Sequence, residues 1–188
     1  PAFAKQIGVD ANSVKFVNIE PAAKVSALAS KKADVVFELY TGKPFMEKAI
    51  PPDQLGYFVW SDYGFNAYAH SYITHDDTLK SRPEMLRNFL KVTYRAWDYT
   101  LKNPAEAIDI LGKYHPINKE DYLANLKVVM EFFKTDRYRN YGIGYIDPAR
   151  MRETVELVAK YMNVQMNFPP EDVYDASFLP SPPFKYNW

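Results

Sequence analysis

Six side chains stand where this chain could grip a ligand: Asn18, Glu38, Tyr40, Thr41, Asp62 and Tyr63. Asn18 and its neighbour Glu20 fall at the end of Val14–Ile19, which reads as a strand. Glu38, Tyr40 and Thr41 follow a second strand-like stretch, Ala33–Phe37. Where parallel strands form a doubly wound sheet, ligands sit beyond their carboxyl ends. A helix start follows each of these two ends and offers backbone N–H groups and a positive dipole end to an anion. Pro21 has no N–H and weakens the first of them. A carboxylate at a strand end needs a counter-charge, and for Glu38 either a ligand amine or amidine or an internal Arg would serve. Asn18, Glu20 and Thr41 equally suit helix capping. Asp62-Tyr63-Gly64 could bind ligand or form a turn, with Gly64 supplying a positive φ or a close backbone approach. Tyr57, Trp60 and Phe65 could stack on a flat ligand, although core packing is the commoner use of such rings.

Several chemistries have no residues to carry them. Cysteine is absent from the 188 residues, which removes disulfides, thiol catalysis and Cys-based zinc sites. His70, His75 and His115 are too scattered for a metal site or a histidine-based catalytic pair. Tyr138-Arg139-Asn140-Tyr141-Gly142 reads as a loop and lacks the pattern of a phosphate cradle. No catalytic residue, metal or cofactor is therefore expected. Lys+Arg and Asp+Glu both number 23, so no net field favours nucleic acid. The aromatic share of 16%, with 15 Tyr and 12 Phe, suits both a core and a cleft for small molecules.

The elements that must position these residues change character along the chain. Residues 3–7 read as a helical turn closed by Gly8. A strand at Val14–Ile19, a helix at Pro21–Lys31 and a strand at Ala33–Phe37 form one β-α-β step, which implies a parallel sheet. A short helix after Thr41 stops at Pro51-Pro52, and Gly56–Trp60 and Phe65–Ile73 read as extended. Asp76-Asp77 precedes a helix and suits its cap. Ser81-Arg82-Pro83-Glu84 has capping-box spacing and opens a helix with Leu86, Phe89, Leu90, Thr93, Ala96 and Trp97 on one face. Asn103, Asn118 and Asp147 open three more helices. The tail from Phe168 to Trp188 is proline-rich and irregular.

The order of these pieces resembles a known family. The residues that carry it are Ser26-Ala27-Leu28-Ala29-Ser30-Lys31-Lys32-Ala33-Asp34-Val35-Val36, then Asp62-Tyr63-Gly64 and Pro83-Glu84-Met85-Leu86-Arg87-Asn88-Phe89-Leu90. Asn103-Pro104-Ala105-Glu106-Ala107 and a late Phe178-Leu179-Pro180 complete the series. Together they are similar to the substrate-binding proteins of ABC importers for nitrate, sulfonates and thiamine pyrimidine precursors. Eukaryotic thiamine-pyrimidine synthases share that fold.

The resemblance implies an α/β type II periplasmic binding protein-like fold, here partial. Residues 1–60 would form most of the second lobe and 61–77 a crossover or hinge. Residues 78–188 would be the mostly helical C-terminal part of the first lobe, with an irregular tail. The family's opening β-α-β units have no counterpart here, so a missing N-terminal segment is expected. The implied function is to bind a small solute without catalysis and present it to the membrane permease of an ABC importer. The solute would be heteroaromatic, amine-bearing or anionic, and the site periplasmic or extracellular, membrane-associated through the transporter. The alternatives are a thiamine-pyrimidine biosynthesis enzyme, disfavoured because those enzymes carry a cysteine-rich motif, and a ligand-sensing domain. A fragment that binds nothing, for want of half its cleft, is the remaining one.

Overall fold

A computed structural model of the chain describes residues 3, 4, 7–162 and 164–188. Lys5 and Gln6, in the first expected helical turn, lie outside them. Gly8 ends that segment with φ +74°, and the Val9 N–H donates to the Ala4 carbonyl at 2.8 Å. Eight α-helices run their full course among the described residues. They are α1 (Lys24–Ala29), α2 (Lys43–Ala49), α3 (Asp76–Ser81), α4 (Pro83–Lys102), α5 (Pro104–Tyr114), α6 (Lys119–Phe133), α7 (Asp136–Tyr141) and α8 (Pro148–Met162).

The sequence reasons for these helices are local. Proline opens α4, α5 and α8, where its missing N–H costs nothing. The Asn118 side chain accepts from the Asp121 N–H at 3.1 Å to start α6. Asp147 accepts from the N–H groups of Ala149 and Arg150 at 2.9 and 3.2 Å to start α8. Three expected caps are corrected. Asn103 makes no cap bond to α5, its amide donating instead to the Tyr99 carbonyl at 3.1 Å. The Ser81 hydroxyl donates to the Asp77 carbonyl at 2.5 Å, so no capping box forms across Ser81–Glu84. Asp76 and Asp77 lie inside α3, behind His75. The expected loop at 138–142 is also corrected: it is mostly the short helix α7, whose start is capped by Thr135.

The larger correction concerns the sheet. Among the described residues no strand is paired. The stretches 15–20, 35–39, 55–59 and 65–75 are extended without ladder partners. An alternating or apolar run makes a stretch competent to be a strand, but only a neighbouring backbone makes it one. Here Val14, Phe16, Val17, Val35, Phe37, Phe58 and Ile73 remain exposed. Helix side chains hold part of this backbone instead. Arg150 donates to the carbonyls of Asn66 and Ala67 at 2.9 and 3.3 Å, and its guanidinium lies 4.4 Å from the Tyr68 ring. The Tyr68 N–H donates to the Thr154 hydroxyl at 3.0 Å.

The helices stack in series, α4 on α5, α5 on α6, α6 on α2 and α2 on α1. The main core sits at the α4 end of this series. It joins Tyr94 and Leu101 of α4 to Ile143 and Tyr186, flanked by Trp97, Phe133 and Phe184. The corner after α7 lets these parts close. Gly142 and Gly144 take φ +94° and +93°, which L-residues with side chains rarely adopt. A Cβ on Gly144 would lie 2.5 Å from the Tyr94 ring, and one on Gly142 would lie 2.5 Å from Pro183. The intervening Ile143 N–H donates to the Phe184 carbonyl at 2.7 Å.

Gly144→Ala is therefore expected to cost about 2–5 kcal/mol, from a strained backbone and an overpacked ring. Urea unfolding measures it, and a loss below about 1 kcal/mol would contradict this close packing. Burial raises the Tyr94 hydroxyl pKa to about 12. A group raised in the folded state stabilises fully below its unfolded pKa, near 10, and that contribution is lost as pH climbs towards about 12. Denaturant melts between pH 9 and 12 should show wild type losing about 2–3 kcal/mol more than Tyr94→Phe.

Candidate functional site

The sequence-predicted residues sort themselves around two extended stretches, 35–39 and 55–59, and the turns that follow them. Phe37 meets Trp60 edge-on at 6.0 Å, and Tyr40 meets Tyr57 at 6.1 Å. Residue numbers rise on one stretch as they fall on the other, so the two run antiparallel. Tyr40 also meets Phe132 of α6 at 6.0 Å. The Tyr57 hydroxyl points at Glu47 of α2, 3.4 Å away, while Lys43 pairs with the same carboxylate at 3.0 Å. Burial first, then the Glu47 charge, pushes the Tyr57 phenol above its ordinary value.

Glu38 finds its counter-charge inside the chain. Lys24, the first residue of α1, lies 3.6 Å from its carboxylate and donates to the Phe37 carbonyl at 2.8 Å. The other carboxylate oxygen accepts the Leu39 N–H at 2.9 Å. The Glu38 side chain folds back over Gly42, where an added Cβ would sit 3.1 Å from its Cγ. Thr41 lies in the turn Tyr40–Gly42, and its carbonyl accepts from the Asn125 side chain of α6.

Asp62 and Tyr63 lie in the turn Trp60–Tyr63, ended by Gly64 at φ +82°. The Asp62 N–H donates to the Val59 carbonyl at 3.0 Å, and the exposed Asp62 carboxylate makes no hydrogen bond or ion pair among the described residues. Tyr63 meets Phe3 edge-on at 5.3 Å. Phe3 stacks on Trp60 at 5.6 Å with planes 14° apart, and Phe65 approaches the same indole at 6.0 Å. Trp60 is nevertheless 46% exposed, so part of its surface stays open to a ligand.

Glu38, Tyr40, Thr41, Asp62 and Tyr63 thus lie along two adjoining stretches. Asn18 is exposed, and among the described residues no side-chain hydrogen bond or ion pair ties it to them. Sequence reasoning missed Lys24, Glu47 and Phe132, which reach the group from three helices. Their separation in sequence gives no spacing signal. Only the unpaired charge of Glu38 called for a basic partner. A separate open depression of about 440 Å³ lies between α2 and α6, where Lys48 and Asp121 pair at 2.7 Å. Among the described residues no three His, Cys, Asp or Glu are grouped to hold a metal ion. No described helix is long and apolar enough to cross a membrane.

Gly64→Ala would force an L-residue into the left-handed region and is expected to cost about 1–2 kcal/mol. Thermal unfolding measures it, and unchanged stability would mean that the Trp60–Tyr63 turn does not depend on that backbone.

Comparison with known proteins gives these residues a context. A family model described as NMT1/THI5 like matches residues 1–107, more than half of the chain. The riboflavin-binding protein RibY of Chloroflexus aurantiacus is 27% identical over 124 residues, which cover 61% of this chain and 35% of that protein. A Brucella abortus protein, provisionally named a binding protein with no ligand in the name, is 23% identical over 113 residues, 60% of this chain and 35% of its own. The chain therefore spans about a third of the length of the curated relatives it matches. No solved structure matches it significantly.

Proposed function

Because the chain belongs to the NMT1/THI5-like family, we propose that it is part of a solute-binding component of an ABC importer. It holds a small molecule without catalysis and presents it to a membrane permease. The names of the relatives, all binding proteins, support the coarse reading. The observation that carries the finer one is the half-open indole of Trp60, set among the rings of Phe3, Phe37 and Phe65 and beside the Glu38–Tyr40 segment. Stacking on such a surface selects flat, polarisable ligands.

Lys24 sharpens the solute class. With Glu38 paired to Lys24, Asp62 is the candidate carboxylate left to reward a ligand amine, and the stacked rings around Trp60 favour a flat heteroaromatic ring such as a pyrimidine or flavin over a simple amine. Sulfonate and nitrate stay in the wider class, with fewer groups to hold them. In this reading Asp62 and Tyr63 meet polar edges of the ring, Thr41 lines the same wall, and Asn18 belongs to a neighbouring strand end. Residues 1–60 are most of one lobe, 61–77 the hinge, and 78–188 the helical part of the other. A further N-terminal segment supplies the facing wall and the strands that residues 15–20 and 35–39 would join. The site of action is periplasmic or extracellular, and closure of the lobes buries the solute.

A thermal-shift screen with riboflavin, a hydroxymethylpyrimidine, an alkyl sulfonate and nitrate tests this. A solute at a hundred times its dissociation constant should add about 2.7 kcal/mol. Trp60→Ala should weaken binding tenfold or more, while Glu38→Gln and Tyr40→Phe weaken it less and leave the fold intact. The absence of a shift with all four compounds, in this chain and in a full-length parent, would overturn the reading, and turnover of any of them would point to an enzyme.

A further inference from the structure

We propose that α4 carries a docking surface for an amphipathic helix with acidic residues along one edge, a surface independent of the solute site. The helix is 20 residues, or about 30 Å, long. Its buried side is built from Leu90, Tyr94, Trp97 and Leu101. A second apolar row runs along the far side of the helix, about 150° round from the first at 3.6 residues per turn, and is left uncovered. Met85, Phe89 and Val92 are 46%, 50% and 68% exposed, Ala96 is exposed, and Tyr99 is 40% exposed.

The spacing of this row identifies its partner. The steps are four, three, four and three residues, which confine the five side chains to about 80° of arc along the whole helix. Scattered exposed apolar residues need no explanation, but a continuous row does. A four-three row is the seam that receives the knobs of a second helix, and the small Ala96 between Val92 and Tyr99 lets a partner's large side chain come close. The stretch before α3 adds to the same surface: Tyr72 meets Phe89 edge-on at 5.8 Å, and Ile73 is almost wholly exposed.

Charge selects among helices. The edge of the seam away from the core holds Asn88, Arg95 and Lys102. Lys102 is paired with Asp98 at 2.8 Å, whereas Arg95 and nearby Lys91 have no partner among the described residues. A second copy of α4 would set Arg95 against Arg95 in antiparallel pairing, or against Leu86, Thr93 and Thr100 in parallel pairing. Neither meets the free guanidinium, and a helix bearing Glu or Asp at the facing edge does.

The test uses two synthetic 21-residue helical peptides with leucines at four-three spacing, one edged with Glu and the other with Lys. Fluorescence anisotropy against the 188-residue chain should show the Glu peptide binding at least tenfold more tightly, with its affinity falling as salt rises. Val92→Asp, at a site too exposed to disturb folding, should weaken that binding at least tenfold, and Arg95→Glu should invert the preference between peptides. The proposal fails if neither peptide binds, if both bind equally, or if Val92→Asp binds as wild type does. It also fails if sedimentation shows a dimer that Val92→Asp abolishes, because the occupant is then a second copy of this chain.

Discussion

The fold turns on the approach of the Tyr94 ring to the backbone of Gly144. There is no room for a Cβ between them, and both flanking glycines hold positive φ. This contact fixes how the corner after α7 meets α4. The corner in turn offers the Ile143 N–H to the Phe184 carbonyl, which brings Tyr186 into the same core. Tyr141 and Tyr145 stack at 4.4 Å on either side of the corner, and Arg137 pairs with Asp147 at 3.0 Å to fasten its exit. Helix α4, the corner and the tail therefore form one cooperative unit.

The first sixty residues obey a different logic. Few of their side chains are buried, and their extended backbone is held by contacts reaching in from helices. Lys24 holds the Phe37 carbonyl and Asn125 that of Thr41, while aromatic edges align 37–40 with 57–60. Such contacts fix position without hiding the surface. The rings of Trp60 and Tyr63 and the Asp62 carboxylate remain accessible, as a surface that binds a small molecule requires. A region with little buried apolar area also opens more easily than the α4 core. The described residues thus divide into a firm helical core and a loosely fastened aromatic surface.

Much of the helical part could be read from sequence, because its signals are local. Asn118 and Asp147 cap as their positions suggest, prolines sit at first turns, and Gly64 takes the positive φ expected of it. Ser81 and Asn103 show the limit of such reading. Each side chain donates to a carbonyl four residues back, that of Asp77 or Tyr99, and neither accepts from the N–H groups of the next helix. The sheet was not legible, because pairing is a property of two stretches and the pattern of one cannot supply the other. The sequence named Glu38, Tyr40 and the 62–64 turn as candidates, but gave no sign of Lys24, fourteen positions before the carboxylate it meets. The row on α4 was half visible: Phe89 and Ala96 read as sharing one face with Leu86 and Leu90, whereas they belong to the exposed row on the far side of the helix.

The burial of Tyr186 has a consequence for how the chain is born. Synthesis runs from the first residue to the last, and α4 is complete at Lys102. The core that α4 shares with Tyr186 cannot close until that tyrosine has left the ribosome. At about 5–20 residues per second, the interval is several seconds. Throughout it, Tyr94, Leu101 and the uncovered row beginning at Met85 are exposed together on one helix. The nascent chain thus passes through a stage that shows more apolar helix surface than the finished fold, and such a stage is prone to aggregate.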